Sequence, residues 1–213
     1  MKNATEISPS VIGRLPRYYR FLCELHRKNV VRVSSKQLSE IMGLTASQIR
    51  QDFNCFGGFG HQGYGYNVEQ LRNELGTILG LPTLKSTILI GAGHLGQALA
   101  GKMNFESVGF RLDAVFDCAP AVIGKPAGAL TVRAAETLAE YCRTHKPEMA
   151  ILCIPENAAP ETVDLLIGCG VGSFWNFSHY DIRRRHPEAF VENVHMSDSL
   201  MTLSYIMNHK KEP

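Results

Sequence analysis

Six cysteines are scattered through the 213 residues with no CxxC pair, and no apolar run approaches the length of a membrane span. Internal repeats and low-complexity tracts are absent too. The missing CxxC pair argues against a zinc cluster, so no metal ligand is expected. Several cysteines sit in apolar runs and read as buried, reduced thiols. The first ten residues, MKNATEISPS, lack the apolar core of a secretion signal, so a cytoplasmic protein without a membrane partner is expected. Apolar residues make up 45% and charged residues 20%, a composition that can bury a core and does not predict disorder.

The net charge of +2 conceals an asymmetry. Residues 1–82 carry ten Lys and Arg against six Asp and Glu, whereas residues 83–213 carry twelve against fourteen. A basic first part suits a polyanionic partner. Ser8-Pro9 reads as an N-cap with a first-turn proline, and Ile12, Leu15, Tyr19, Leu22 and Leu25 follow at helical spacing, with Pro16 predicting a kink or a late start. Residues 30–33 predict a strand. Ser34 or Ser35 then opens a helix that Gly43 ends, and Thr45 caps another through about Asn54. Helix, glycine turn and helix have helix-turn-helix proportions. Between residues 56 and 66, glycines interleave with Phe56, Phe59, Tyr64 and Tyr66, which predicts a tight hairpin, placed as the wing of a winged helix. Val68, Leu71, Leu75 and Ile78 mark one more amphipathic helix before Gly80-Leu81-Pro82.

From Leu84 onward, short apolar runs alternate with helical patterns, as in βαβ units. Strands are predicted at 87–90, 112–116, 149–154 and 172–175. Helices are predicted at 95–103, 133–145 and 159–169, with a last one at 197–208. The fold class expected is therefore α/β: a winged helix-turn-helix domain (1–82), a Rossmann domain with a parallel sheet (83–196), and a C-terminal helix (197–213).

Gly91-Ala92-Gly93-His94-Leu95-Gly96 fits GxGxxG between an apolar strand and a helix, and Asp117 ends the next strand 21 residues after Gly96. Gly91 permits the sharp turn, Gly93 the approach of a pyrophosphate, and Gly96 close packing of helix on strand. The helix start offers N–H groups to phosphate. Asp117 would accept from ribose hydroxyls and repel a 2′-phosphate, which favours NAD(H) over NADP(H). The candidate cofactor set comprises Gly91, Ala92, Gly93, His94, Leu95, Gly96 and Asp117, with Lys125 and Pro155. The His94 side chain itself reads as solvated, as does the run Arg183-Arg184-Arg185. In the helix from Thr45, Ile49 and Phe53 face inward, leaving Ser47, Gln48, Arg50 and Gln51 for base edges and phosphates. Gln62 and Tyr64 of the wing complete the DNA-binding candidates.

Gln48-Ile49-Arg50-Gln51-Asp52-Phe53, then Phe56-Gly57 and Gly63-Tyr64-Gly65-Tyr66, resemble the Rex-type redox-sensing transcriptional repressors. The resemblance continues through residues 91–99, Phe116-Asp117, Asn176-Phe177 and Glu192-Asn193-Val194. It implies a homodimer on a pseudo-palindromic double-stranded DNA operator, bound when NADH is scarce and released as the NADH/NAD⁺ ratio rises. It also implies exchange of the C-terminal helix between subunits. Where relatives often have lysine and arginine, this chain has Gln51 and Gln62. Where relatives place a tyrosine and an aspartate that answer to the nicotinamide with an arginine of the first helix, this chain has Lys102, His195 and Arg20. Those cations would repel one another if they met without an anion, so an altered or weakened NADH response is expected. Two other readings remain: an NAD-dependent oxidoreductase, and a CoA- or nucleotide-binding regulator that does not sense NADH. The first would need a substrate domain and an oriented proton carrier, for which only His179 and His195 are conceivable, so no catalytic residue is assigned. The second is disfavoured by the acid at Asp117.

Overall fold

In a computed structural model, which describes residues 7–57 and 64–209, the chain divides into two compact units, Met1–Pro82 and Thr83–Pro213.

The described residues of the first unit form four helices and a two-stranded ribbon. Helix α1 (Pro9–Arg27) packs on α4 (Val68–Ile78), and α2 (Ser35–Met42) is followed by α3 (Ala46–Asn54). Strand β1 (Arg32–Val33) pairs antiparallel with β2 (Tyr66–Asn67). The caps follow from the sequence. Ser34 forms a reciprocal capping box with Gln37, Gly43 closes α2 in the left-handed conformation, and the Thr45 hydroxyl accepts from the Gln48 amide. Ser8 stands at the N-cap of α1 without capping it, because its hydroxyl bonds to that of Ser10. Nor does Pro16 delay α1, which is helical from Pro9 onward; the ring lies on the exposed face, where the carbonyl it leaves unpaired can take water. Leu15, Tyr18, Leu22, Leu38, Ile49, Phe53 and Leu75 close the core of this unit. The wing hairpin expected within 56–66 falls mostly on residues outside the described ones, Gln62 among them. The pairing recorded at its exit joins β2 to β1.

The second unit is a seven-stranded sheet in the order β5-β6-β4-β3-β7-β8-β9. Its strands are β3 (Lys85–Ile90), β4 (Phe110–Asp117), β5 (Pro126–Ala127), β6 (Leu130–Ala134), β7 (Met149–Leu152), β8 (Ser173–Asn176) and β9 (Phe190–Asn193). All neighbours are parallel except the β5–β6 pair. Without β5, this is the doubly wound order in which the chain starts in the middle, proceeds to one edge, and returns to build the other. Helices α5 (His94–Lys102), α6 (Leu138–His145), α7 (Ala159–Gly168) and α8 (Ile182–Arg185) connect the strands, and α9 (Met196–His209) ends the described chain. Side chains of α6, α7 and α8 bury Ile88, Phe116, Ala150, Leu152 and Phe174 on one face of the sheet. Phe105, Met103 and Leu99 pack with Leu89, Val115 and Ile151 on the other.

Several boundaries differ from those predicted. Residues 133 and 134 end β6, so α6 begins at Leu138 rather than 133. Strand β7 stops at Leu152, and β5, β6, β9 and the short α8 were not predicted. No described helix is long and apolar enough to cross a membrane, and no three described His, Cys, Asp or Glu side chains cluster as a metal site. All six cysteines are free thiols; Cys142 is buried, whereas Cys118 is exposed.

Asp52 is fully buried in the first unit. Burial alone would raise its carboxyl, but bonds from Arg14, Tyr18 and Gln48 outweigh that cost and hold it below the ordinary carboxylate value. A carboxylate depressed in the folded state stabilises the fold above its unfolded value and loses that contribution on acidification. The gap in urea midpoint between the wild type and Asp52→Asn should therefore narrow as pH falls from about 6 to about 3. A gap independent of pH would contradict this assignment.

Candidate functional site

Strand β3 leaves the sheet at Ile90, and the chain turns through Gly91 at φ +97°. A Cβ at Gly91 would stand 2.4 Å from the Cys153 carbonyl oxygen. The loop is pinned between two strands, since Gly91 N–H donates to Phe116 O (2.8 Å) and Cys153 N–H donates to Ile90 O (2.8 Å). Gly96 lies in the first turn of α5, where a Cβ would sit 1.8 Å from the Gly91 carbonyl oxygen. Both glycines are thus demanded by the protein's own backbone. Gly93 is different: nothing lies within 4 Å of where its Cβ would be. It is the N-cap of α5, and no side chain caps that helix. An uncapped helix start, a glycine facing open space and the positive end of the helix dipole together form a cradle for a phosphate or pyrophosphate.

Asp117 closes the side of this cradle at the carboxyl end of β4. Its Oδ2 accepts from Ala92 N–H (2.6 Å) and its Oδ1 from Ala119 N–H (2.7 Å). The carboxylate therefore shapes the glycine loop as well as facing what lies beyond it, and each oxygen keeps a lone pair for a hydroxyl. Pro155 is exposed in the loop after β7, two residues from Cys153. The crevice between the β3 and β7 exits lies where the strand order reverses, the usual ligand position in such sheets. Lys125 is exposed in the turn before β5, with no ion-pair partner among the described residues; His94 is also exposed.

On α3, Ser47, Arg50 and Gln51 are exposed, and Asn54, which sequence reasoning did not single out, is exposed as well. Arg50 donates from Nη1 to Ser35 Oγ (3.0 Å), across to the preceding helix. Gln48 departs from the outward position expected of it. It is half-buried, and its Nε2 donates to Asp52 Oδ1 (2.8 Å). Tyr64 is 76% exposed, and its carbonyl accepts from Arg32 Nη1 (3.2 Å).

The three switch candidates are distributed as follows. Arg20 belongs to the first unit, where its guanidinium lies 5.9 Å from the centre of the Phe21 ring. Lys102 ends α5 and is exposed. Its neighbour Met103 lies among Lys85, Phe110 and Met149, the first residues of three parallel strands. His195 lies two residues beyond the end of β9, so within one chain it and Lys102 lie at opposite ends of the sheet. His195 instead stacks on His179, with ring centroids 5.4 Å apart and planes within 8°. Arg183 to Arg185 are exposed, although Arg183 donates to Val191 O (2.6 Å) and Arg185 pairs with Asp164 (2.7 Å).

Residues 6–54 match the family described as "Putative DNA-binding protein N-terminus", and residues 83–180 match "CoA binding domain". The chain is 49% identical over 211 residues to the redox-sensing transcriptional repressor Rex of Thermoanaerobacter pseudethanolicus, covering 99% of this chain and 94% of that one. It is 46% identical to the Rex of Clostridium tetani over the full length of both. The chain belongs to the Rex family. Among solved structures it is similar to the Rex-family repressor RSP in complex with β-NADH, with a TM-score of 0.88 and 46% identity over 97% of this chain and 96% of that one. RSP in complex with β-NAD⁺ and operator DNA gives a TM-score of 0.87 at 48% identity, covering 96% and 94%. Rex relatives thus carry both expected units, a DNA-binding one and a Rossmann one, in the same order.

Proposed function

We propose that this chain is a cytoplasmic, homodimeric transcriptional repressor that binds a pseudo-palindromic operator and responds to the NADH/NAD⁺ ratio. The observation that carries the reading is the glycine loop. Gly91 and Gly96 are fixed by backbone packing, whereas Gly93 is open toward the uncapped start of α5, as a dinucleotide pyrophosphate requires. Gly91 to Gly96 and Asp117 would hold the diphosphate and adenosine ribose, with Pro155 on the β7 side and Lys125 near the edge. The exposed row Ser47, Arg50 and Gln51, with Gln62 and Tyr64 from the segment after α3, would meet the duplex. NAD(H) supplies the signal in this reading; the protein's residues bind it and no chemistry is required of them.

The homodimer is supported by α9. Met196, Leu200, Leu203 and Met207 recur at one-face spacing, and each is at least half exposed. An apolar cavity of about 700 Å³, lined by Met103, Phe110, Met149, Trp175 and Phe190 at the amino ends of the strands, adds a second uncovered surface.

Titrating a bound operator duplex with NADH and with NAD⁺ tests the assignment. NADH alone should release the DNA. If neither nucleotide changes operator occupancy while both bind, the protein is a repressor without a redox response. A weakened response is favoured by His195, which stands where relatives often carry an aspartate and which stacks on His179 with no ion-pair partner among the described residues. In that case release would need a higher NADH/NAD⁺ ratio.

Gln51→Lys provides an independent check on the DNA face. An added cation that reaches phosphate should steepen the slope of log affinity against log salt by about one unit. An unchanged slope would place residue 51 away from the DNA backbone.

A further inference from the structure

Asp52 lies one helical turn from Gln48 on the inward side of α3, among Ile49 and Phe53. Its carboxylate is filled by four donors. Arg14 approaches in a two-pronged fashion, Nε to Oδ2 (2.7 Å) and Nη2 to Oδ1 (2.8 Å). The Tyr18 hydroxyl donates to Oδ2 (2.7 Å) and Gln48 Nε2 to Oδ1 (2.8 Å). No buried side-chain nitrogen or oxygen among the described residues lacks a partner. Three of these donors come from two α1 residues, 38 and 34 positions away in sequence, so the cluster ties α1 to α3.

Such an arrangement is a costly way to hold two helices together. Desolvating a carboxylate and a guanidinium consumes much of what their attraction returns, and apolar residues of similar size commonly serve stability as well. What apolar contacts do not supply is direction. Ile49 and Phe53 would tolerate a small rotation or slide of α3, whereas a forked guanidinium on a carboxylate has one good geometry. The same carboxylate fixes the Gln48 amide, because it can only accept and so must face the nitrogen.

We infer that Asp52, together with Arg14 and Tyr18, is a positioning cluster for DNA reading: it sets the rotation of α3 and so the direction in which Ser47, Arg50 and Gln51 project. This rests on the assignment of α3 to the DNA face. The cluster itself touches no base. Its contribution is expressed in discrimination between operator and other sequences, since base-edge contacts depend on exact placement and phosphate contacts much less so.

The test compares the full-length wild type with two variants. In Arg14→Met/Asp52→Leu the ion pair is replaced by apolar side chains, leaving neither charge buried alone. In Tyr18→Phe one donor is removed and the edge-to-face contact with Phe53 is kept. Each is titrated against the operator duplex that the wild type enriches from a random pool and against a scrambled duplex, with the thermal midpoint measured in parallel. Operator affinity should fall roughly 10- to 100-fold in the double variant and about three- to tenfold in Tyr18→Phe. Scrambled-duplex affinity and NADH binding should change little, whereas the thermal midpoint should fall by roughly a few degrees in both variants, because the double variant leaves the buried Tyr18 hydroxyl without its acceptor and Tyr18→Phe leaves the carboxylate one donor short. Parallel losses on both duplexes, or an operator affinity that simply follows the thermal midpoint, would overturn the positioning role. A wild type that enriches no sequence would instead refute the DNA-binding assignment on which the inference rests.

Discussion

Gly93→Ala should leave the second unit folded and weaken NADH binding by roughly 10- to 100-fold, whereas Gly96→Ala should destabilise that unit by more than about 3 kcal/mol. The two substitutions add the same methyl group three residues apart at the start of α5, yet the surroundings differ completely. At Gly96 the new Cβ would overlap the Gly91 carbonyl oxygen and crowd the Leu89 side chain, and neither α5 nor β3 can withdraw without breaking the sheet contacts. At Gly93 the backbone angles, φ −69° and ψ −168°, suit any residue, and the methyl group meets nothing of the protein. It would meet only a ligand lying against the start of α5. Calorimetry and NADH fluorescence titration on both variants separate the cases. Were Gly93→Ala to bind NADH as tightly as the wild type, the proposed seat of the pyrophosphate at the start of α5 would be wrong.

The sequence made this contrast only half visible. GxGxxG distinguishes the roles of the three glycines, but not the atoms that enforce them. The neighbour that decides Gly91, the Cys153 carbonyl, follows a strand some sixty residues away in sequence, whereas Gly96 is decided by the Gly91 carbonyl and Leu89. Asp117 was legible as the acid at the end of the second strand. Its bond to Ala92 was not, because that contact exists only once β3 and β4 lie side by side. Local signals proved sufficient for the helix ends around Ser34, Gly43 and Thr45, where cap and first turn are within three residues of each other. They failed for β5 and β9, which are short and owe their extended shape to pairing with β6 and β8. Leu130–Ala134 runs directly toward the α6 pattern and was partly absorbed into it.

Asp52 shows the same limit at the other end of the chain. The sequence carries no local sign that Asp52 is buried, because its partner Arg14 belongs to a different helix. Gln48 was assigned outward for the same reason: nothing nearby in sequence says that a carboxylate holds it.

Leu200→Glu/Leu203→Lys in α9 should convert the protein from dimer to monomer and reduce operator affinity by about 10²- to 10⁴-fold. The helix is apolar along the stripe Met196, Leu200, Leu203 and Met207, yet all four side chains stand exposed on the single chain, at 63%, 68%, 50% and 62%. A surface of that kind is stable in water only when a partner removes it from solvent, and each buried leucine is worth about 1.5–3 kcal/mol. Introducing one charge of each sign leaves the net charge unchanged and makes burial of the stripe strongly unfavourable. Because a pseudo-palindromic operator presents two half-sites, a monomer loses the second contact and with it the effective-concentration advantage of bivalent binding. Sedimentation equilibrium across a concentration series, paired with operator titration, reads both effects in one preparation. A variant that stayed dimeric with operator affinity intact would show that α9 is not the element joining the subunits, and attention would pass to the apolar cavity around Phe110, Trp175 and Phe190.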